Sequence, residues 1–232
     1  YLLFVKKIGP NWMKNKPAYN LSQVLIVYNI IQVLFSTYVG YLVSNYLKKK
    51  AANPPTTLFA GYCYVLAKIS ELLDTVFFVL RKKQSQVSFL HVYHHFVIVA
   101  GSWVVMVYDN SFSGAFLATL NSFIHVIMYG YYLLSTFPSL HKYLWWKKYL
   151  TAMQMIQFVL VILHMLIFIS ITKCPHTYTL IGIIIVNLFF FIYLFAQFYI
   201  KSYVNKDENK CKNKDGLGKI NDNGVEITKK VI

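Results

Sequence analysis

Six apolar runs, each near the length that crosses a bilayer, dominate this chain and restrict what it can fold into. They lie at about 21–45, 58–80, 89–107, 113–135, 149–172 and 178–200. About 20 consecutive apolar residues suffice for a spanning helix, and lipid forces a helix to satisfy its own backbone groups. Composition agrees: 13% of residues are charged, against about 25% in a soluble domain. The formal net charge is +15, and so basic a chain first suggests nucleic acid. Here, however, the lysines sit in short loops and in the tail, between runs too long for a soluble core, so a membrane is the expected partner and nucleic acid is not. Before residue 207 the acidic residues are Glu71, Asp74 and Asp109. The expected fold is an all-α multi-pass membrane protein, a bundle or barrel of six visible transmembrane helices.

The connections 81–88, 108–112, 137–148 and 173–177 are short, which makes consecutive helices antiparallel neighbours. Basic residues segregate by side. Segments 6–20, 81–88, 136–148 and 201–232 carry 4, 3, 3 and 8 Lys or Arg, and segments 46–57, 108–112 and 173–177 carry 3, 0 and 1. The positive-inside rule makes the first set cytosolic. Trp145, Trp146 and Tyr149 stand where an interfacial aromatic belt belongs, beside Lys147 and Lys148. The chain opens without Met, and Tyr1 to Val5 read as the last turns of a seventh span cut short. The expected organisation is a membrane-embedded domain over 1–203 and a disordered cytosolic tail over 204–232, rich in Lys, Asn, Asp and Gly. The tail ends Lys229-Lys230-Val231-Ile232, matching a dilysine endoplasmic-reticulum retrieval signal, an address that a receptor reads. Cys63, Cys174 and Cys211 have no metal-type spacing; a Cys63–Cys174 pairing is compatible with the topology.

Chemistry concentrates in four histidines. His91-Val-Tyr-His94-His95 opens an apolar run, and spacings of three and four group the three imidazoles on one helical face. The following antiparallel helix carries Asn121, His125, Met128 and Tyr129. At 1.5 Å per residue, His94 and His125 lie roughly 12 and 18 Å from the cytosolic ends of their runs, so they can converge inside the bundle. Ionisable groups within a membrane are costly and tend to mark function. Lys68, Glu71 and Asp74 recur every three residues inside the 58–80 run, with Thr75 next to Asp74. Mutual pairing offsets the cost of burying such a stripe. Both a scaffolding role and an ordering of the histidines or substrate are open to it. Gln86, Gln154 and Gln157 add polar groups to the network, and Arg81-Lys82-Lys83 suits either a polyanionic substrate or plain positive-inside anchoring.

These blocks carry a resemblance. Lys68-Ile-Ser-Glu71-Leu-Leu-Asp74-Thr75, Gln86 to His95, Asn121-Ser-Phe-Ile-His125-Val-Ile-Met128-Tyr129-Gly-Tyr131-Tyr132 and Thr151-Ala-Met-Gln154-Met-Ile-Gln157-Phe158 resemble, in order and approximate spacing, the signature blocks of the very-long-chain fatty acid elongases. The resemblance covers residues 1 to about 203. It implies a seven-helix endoplasmic reticulum protein with a lumenal amino terminus. It also implies condensation of a long acyl-CoA with malonyl-CoA, giving 3-oxoacyl-CoA, CO2 and free CoA. No cofactor beyond these substrates and no bound metal are expected, although a single metal on the imidazoles stays open on the residues alone. Reductases and a dehydratase that complete the cycle are the implied partners.

Two cysteines fall toward the opposite side from the histidines and the third lies in the tail, so an imidazole is the expected nucleophile. His94 is assigned to attack the thioester. His91, His95 and His125 are expected to orient it, shuttle protons or stabilise the enolate, with Asn121 as a further donor. The acyl chain is expected to lie along 155–170 and 180–195. Two other readings stay open on the residues alone. A membrane di-iron desaturase or hydroxylase also uses HxxHH boxes, although seven histidines in all, four of them at one depth, are few for two irons. A non-enzymatic lipid transporter would suit an apolar bundle with a polar centre, although paired Gly/Pro-interrupted helices and an internal repeat are not visible.

Overall fold

The computed structural model describes residues 1–48, 54–108, 112–171 and 175–205. Asp109, Cys174, Cys211, the dilysine pair Lys229 and Lys230, and with them almost all of the expected tail, lie outside these residues. The described chain is helical and contains no strand. Helix α1 is Gly9–Met13, preceded by a π-helical turn Phe4–Ile8; then come α2 (Ser22–Lys48), α3 (Pro54–Ser70), α4 (Leu73–Leu80), α5 (Phe89–Tyr108), α6 (Phe112–Ser135), α7 (Lys147–Ile171) and α8 (Pro175–Tyr199). Helices α2, α5, α6, α7 and α8 each contain a stretch long and apolar enough to cross a membrane. The protein is a multi-pass membrane protein. Its outer face is apolar, as a lipid-facing surface must be: Leu34, Ile167 and Val186 are each at least 60% exposed.

The stretch expected as one span over 58–80 is divided. At Glu71-Leu72 the ladder tightens from i−4 to i−3, with Leu72 N–H on Ile69 O and Asp74 N–H on Glu71 O, both at 3.1 Å. Such a break is tolerated at membrane depth only where protein satisfies the freed groups. Helix α2 does this. Tyr28 OH donates to Ser70 O at 3.3 Å and Gln32 Nε2 donates to Ser70 Oγ at 2.9 Å.

The amino-terminal helix runs farther than Val5, to Met13. Pro10 lacks an N–H, and just before it the ladder widens by one residue, Gly9 N–H reaching Phe4 O. Val5, Gly9 and Met13, four residues apart, are buried against α4, where a side chain at Gly9 would meet Val79 Cγ1 at 2.8 Å.

The long helices close into a ring in the order α2, α3, α5, α8, α7, α6 and back to α2. The α2–α6 seam is the most intimate, because small residues let the backbones approach; Gly40 faces Ser122 Cβ there. The α5–α8 seam is the loosest. Its polar tie is Tyr93 OH on Asn187 Oδ1 at 3.1 Å.

Candidate active site

Inside the ring, at the end that carries the 81–88 loop, α3 and α4 present the stripe and α5 and α6 the histidines. Each member of the stripe takes a partner. Lys68 Nζ donates to Glu71 Oε1 at 2.7 Å, and the same oxygen receives His125 Nδ1 at 2.9 Å. Asp74 Oδ2 accepts Tyr129 OH at 2.7 Å, and Thr75 Oγ1 lies 2.9 Å from His91 Nε2 and 2.7 Å from Tyr1 OH. Lys68, Glu71, Thr75, His95, His125 and Tyr129 are buried, and His91, His94 and Asp74 are half-buried.

The Glu71 contact determines a tautomer. A carboxylate paired with an ammonium only accepts, so the proton of His125 sits on Nδ1 and the lone pair on Nε2. Lys68 Nζ, 3.4 Å from the same Nδ1, neutralises the carboxylate and cannot also donate to that nitrogen. His91 is likewise held through Nε2, and its ring packs 4.3 Å from His95 and 5.1 Å from Phe78.

His94 is placed differently. Its ring meets His95 at 5.5 Å, Phe191 at 5.2 Å and Phe195 at 6.3 Å, and among the described residues it makes no hydrogen bond. Phe191 is also part of the wall of an apolar cavity of about 550 Å³ that extends away from the histidines between α3, α5, α6 and α8. Tyr64 lies on that wall too, and its OH donates to Asn121 Oδ1 at 3.2 Å. The cavity therefore abuts the histidine cluster at His94 and Asn121. Met165 and the stretch from Leu180 to Phe191 contribute to the wall, but so do Phe96 to Met106 on α5 and Gly114 to Ala118 on α6. Ring closure turns these small-residue faces inward, which spans taken singly do not reveal.

Not every expected residue joins the cluster. Gln154 turns to Met128 Sδ at 3.4 Å. Gln157 is buried without a hydrogen bond to a described residue. Gln86 is exposed in the turn Gln84–Gln86, and Arg81 caps α4 at the cavity-distal end. His141 lies in the exposed loop on Ser135 O, and His164 stacks on Phe116 at 4.0 Å. Cys63 is buried among Val43, Ala60 and Ala118 and forms no disulfide with a described residue. Among the described residues no three His, Cys, Asp or Glu side chains group around one point as a metal site needs.

Residues on α2 enter unannounced. Asn29, Gln32 and Ser36 are buried polar groups, and Tyr28 packs edge-on against Tyr129 at 6.1 Å. Their spacing of three and four in an otherwise apolar run is the signal that exposes them.

A helical ring with a polar, histidine-rich centre beside an apolar cavity defines the class: a multi-pass membrane protein whose buried polar cluster adjoins apolar interior space. The comparisons narrow this class. Residues 1–211 match the ELO family, GNS1/SUR4, and the chain belongs to that family. It is 38% identical over 244 residues to very long chain fatty acid elongase 4 of Homo sapiens, covering 99% of this chain and 77% of that protein. It is 39% identical over 236 residues to very long chain fatty acid elongase 2 of Rattus norvegicus, covering 97% and 84%.

Proposed function

We propose that this protein is a very-long-chain fatty acid elongase, a 3-oxoacyl-CoA synthase that condenses a long acyl-CoA with malonyl-CoA. The observation that carries the reading is the placement of His94, which makes no hydrogen bond among the described residues and touches, through Phe191, a cavity suited to hydrocarbon. The family membership and the names of the relatives support it.

In this reading a ring nitrogen of His94 attacks the thioester carbonyl. The carbon–sulfur bond breaks, CoA leaves as the thiol after taking a proton, and the acyl group stays on the imidazole. Malonyl-CoA then loses CO2, and the electron pair of that bond becomes an enolate. The enolate carbon attacks the acyl carbon, a carbon–carbon bond forms, the acyl–nitrogen bond breaks, and 3-oxoacyl-CoA departs while the ring nitrogen takes up one proton from solvent, which replaces the one lost to the thiol. His125, basic at Nε2, is suited to handle the proton. Asn121, tied to Tyr64 at the cavity head, is suited to donate to a developing oxyanion.

The wider reading is an endoplasmic reticulum protein with its carboxyl terminus cytosolic, an elongase domain over 1–203 and an addressing tail. It acts beside reductases and a dehydratase, uses acyl-CoA and malonyl-CoA as substrates, and needs no further cofactor.

Intact-mass analysis of purified protein incubated with acyl-CoA alone tests the chemistry. One acyl adduct mapping to His94 is expected, together with release of CoA, and His94→Ala loses both the adduct and condensation. An adduct on another residue, or normal condensation by His94→Ala, overturns the assignment. Acyl-CoA binding without incorporation of labelled malonyl-CoA favours a carrier.

A further inference from the structure

The cavity is walled unevenly along its length. Near the histidines stand the large rings of Tyr64 and Phe191; farther away Gly61, Gly101, Gly114 and Ala115 stand among aliphatic residues such as Val105 and Leu180. Two glycines behave in opposite ways. A methyl group added at Gly101 would have no heavy atom within 4 Å, so the interior is open there, whereas at Gly61 it would stand 2.8 Å from Met106 Cγ and 3.5 Å from Met106 Sδ. The thioether thus lies directly on the bare backbone of α3. Met106 is the last α5 residue of the wall and is buried at 8% exposure. Twelve residues separate it from His94, about 18 Å along the helix, comparable to the extended length of a long acyl chain. Met165, also on the wall, is fixed in the α7–α8 core among Phe158, Ile181 and Phe191. Met106 belongs to none of the packed clusters, and an unbranched side chain adapts easily to its surroundings.

We propose that Met106, seated on Gly61, is the far stop of the acyl cavity and sets the longest chain that the protein extends. The proposal rests on the elongase reading. A chain held at His94 runs away from the histidines until its terminal methyl meets the thioether. Gly61 matters because it lets Met106 lie back against α3; any side chain there pushes the thioether into the cavity.

The test is an elongation assay with full-length protein in microsomes, using acyl-CoAs of increasing length and labelled malonyl-CoA. Met106→Ala is expected to lengthen the longest product by at least one round, and Gly61→Ala to shorten it by at least one. The ceiling is read from the distribution of product lengths, so that a general change in rate does not shift it. If Gly61 acts through Met106, Gly61→Ala has no shortening effect in a Met106→Ala background, as a double-mutant cycle reports. An unchanged ceiling in both variants overturns the proposal. So does shortening by Gly61→Ala that persists in the double variant. Failure of wild type to extend any acyl-CoA overturns the elongase reading instead. If Met106→Ala does not accumulate, Met106→Leu beside Met106→Phe gives the same comparison through shape and bulk, and the Phe variant must have the lower ceiling.

Discussion

Glu71 is the residue on which the centre turns. One carboxylate oxygen holds both Lys68 and His125, so a single side chain balances a buried ammonium and selects an imidazole tautomer. Removing one partner of a buried pair costs about 3–5 kcal/mol, whereas replacing both by apolar residues is often neutral or better. Glu71→Leu is therefore expected to lower the melting temperature of detergent-purified protein strongly, and Lys68→Met added to it to restore most of the loss. Activity is expected to stay lost in the double variant, because nothing then keeps the proton on His125 Nδ1. Equal melting temperatures for single and double variants would show that Lys68 and Glu71 are not an energetic unit. The remaining stripe members divide similarly between structure and site, Asp74 holding Tyr129 and Thr75 holding His91. The choice between scaffolding and ordering histidines was open in the sequence; these contacts do both at once.

Among the elements, α4 depends on how it stops. Lys82 has φ 54°, in the left-handed region, and the bonds Lys82 N–H to Val79 O and Lys83 N–H to Phe78 O close a Schellman turn. Glycine is the usual residue there, and a side chain costs roughly 1–2 kcal/mol. Lys82 Nζ reaches back to Lys14 O at 3.4 Å, which ties the loop to the end of the α1 segment. Lys82→Gly is expected to raise stability by about 1 kcal/mol net of glycine's entropy cost, read as a higher melting temperature. No gain would mean that the tie to Lys14 outweighs the backbone strain. The end of α4 was legible as a basic loop, but its handedness was not, since no glycine stands between Leu73 and Phe89 to announce such a turn.

For the whole molecule, six helices closed into a ring leave an interior, and the apolar cavity lies in it. Consecutive helices α5 and α6 are not principal neighbours, and α8 stands between α5 and α7. At the same scale belongs the retrieval signal proposed at Lys229 and Lys230. Changing both to Ser is expected to move the protein from the endoplasmic reticulum to later secretory compartments, seen by microscopy, with condensation per molecule unchanged in membranes. Unaltered distribution would remove the address reading and leave the catalytic one intact.

Membrane character, helical class, the approximate boundaries of five spans and the histidine blocks were determined by the sequence alone, because lipid imposes length and apolarity on any spanning segment and because i, i+3 and i+4 spacing forces residues onto one face. Tertiary structure decided what lies across from each face. It paired Lys68 with Glu71 and His125, supplied Tyr28 and Gln32 from α2 to a helix break that hydropathy reads as continuous, and placed Met106 on Gly61. Such contacts join residues far apart in the chain, and periodicity along one helix carries no information about which helix it meets.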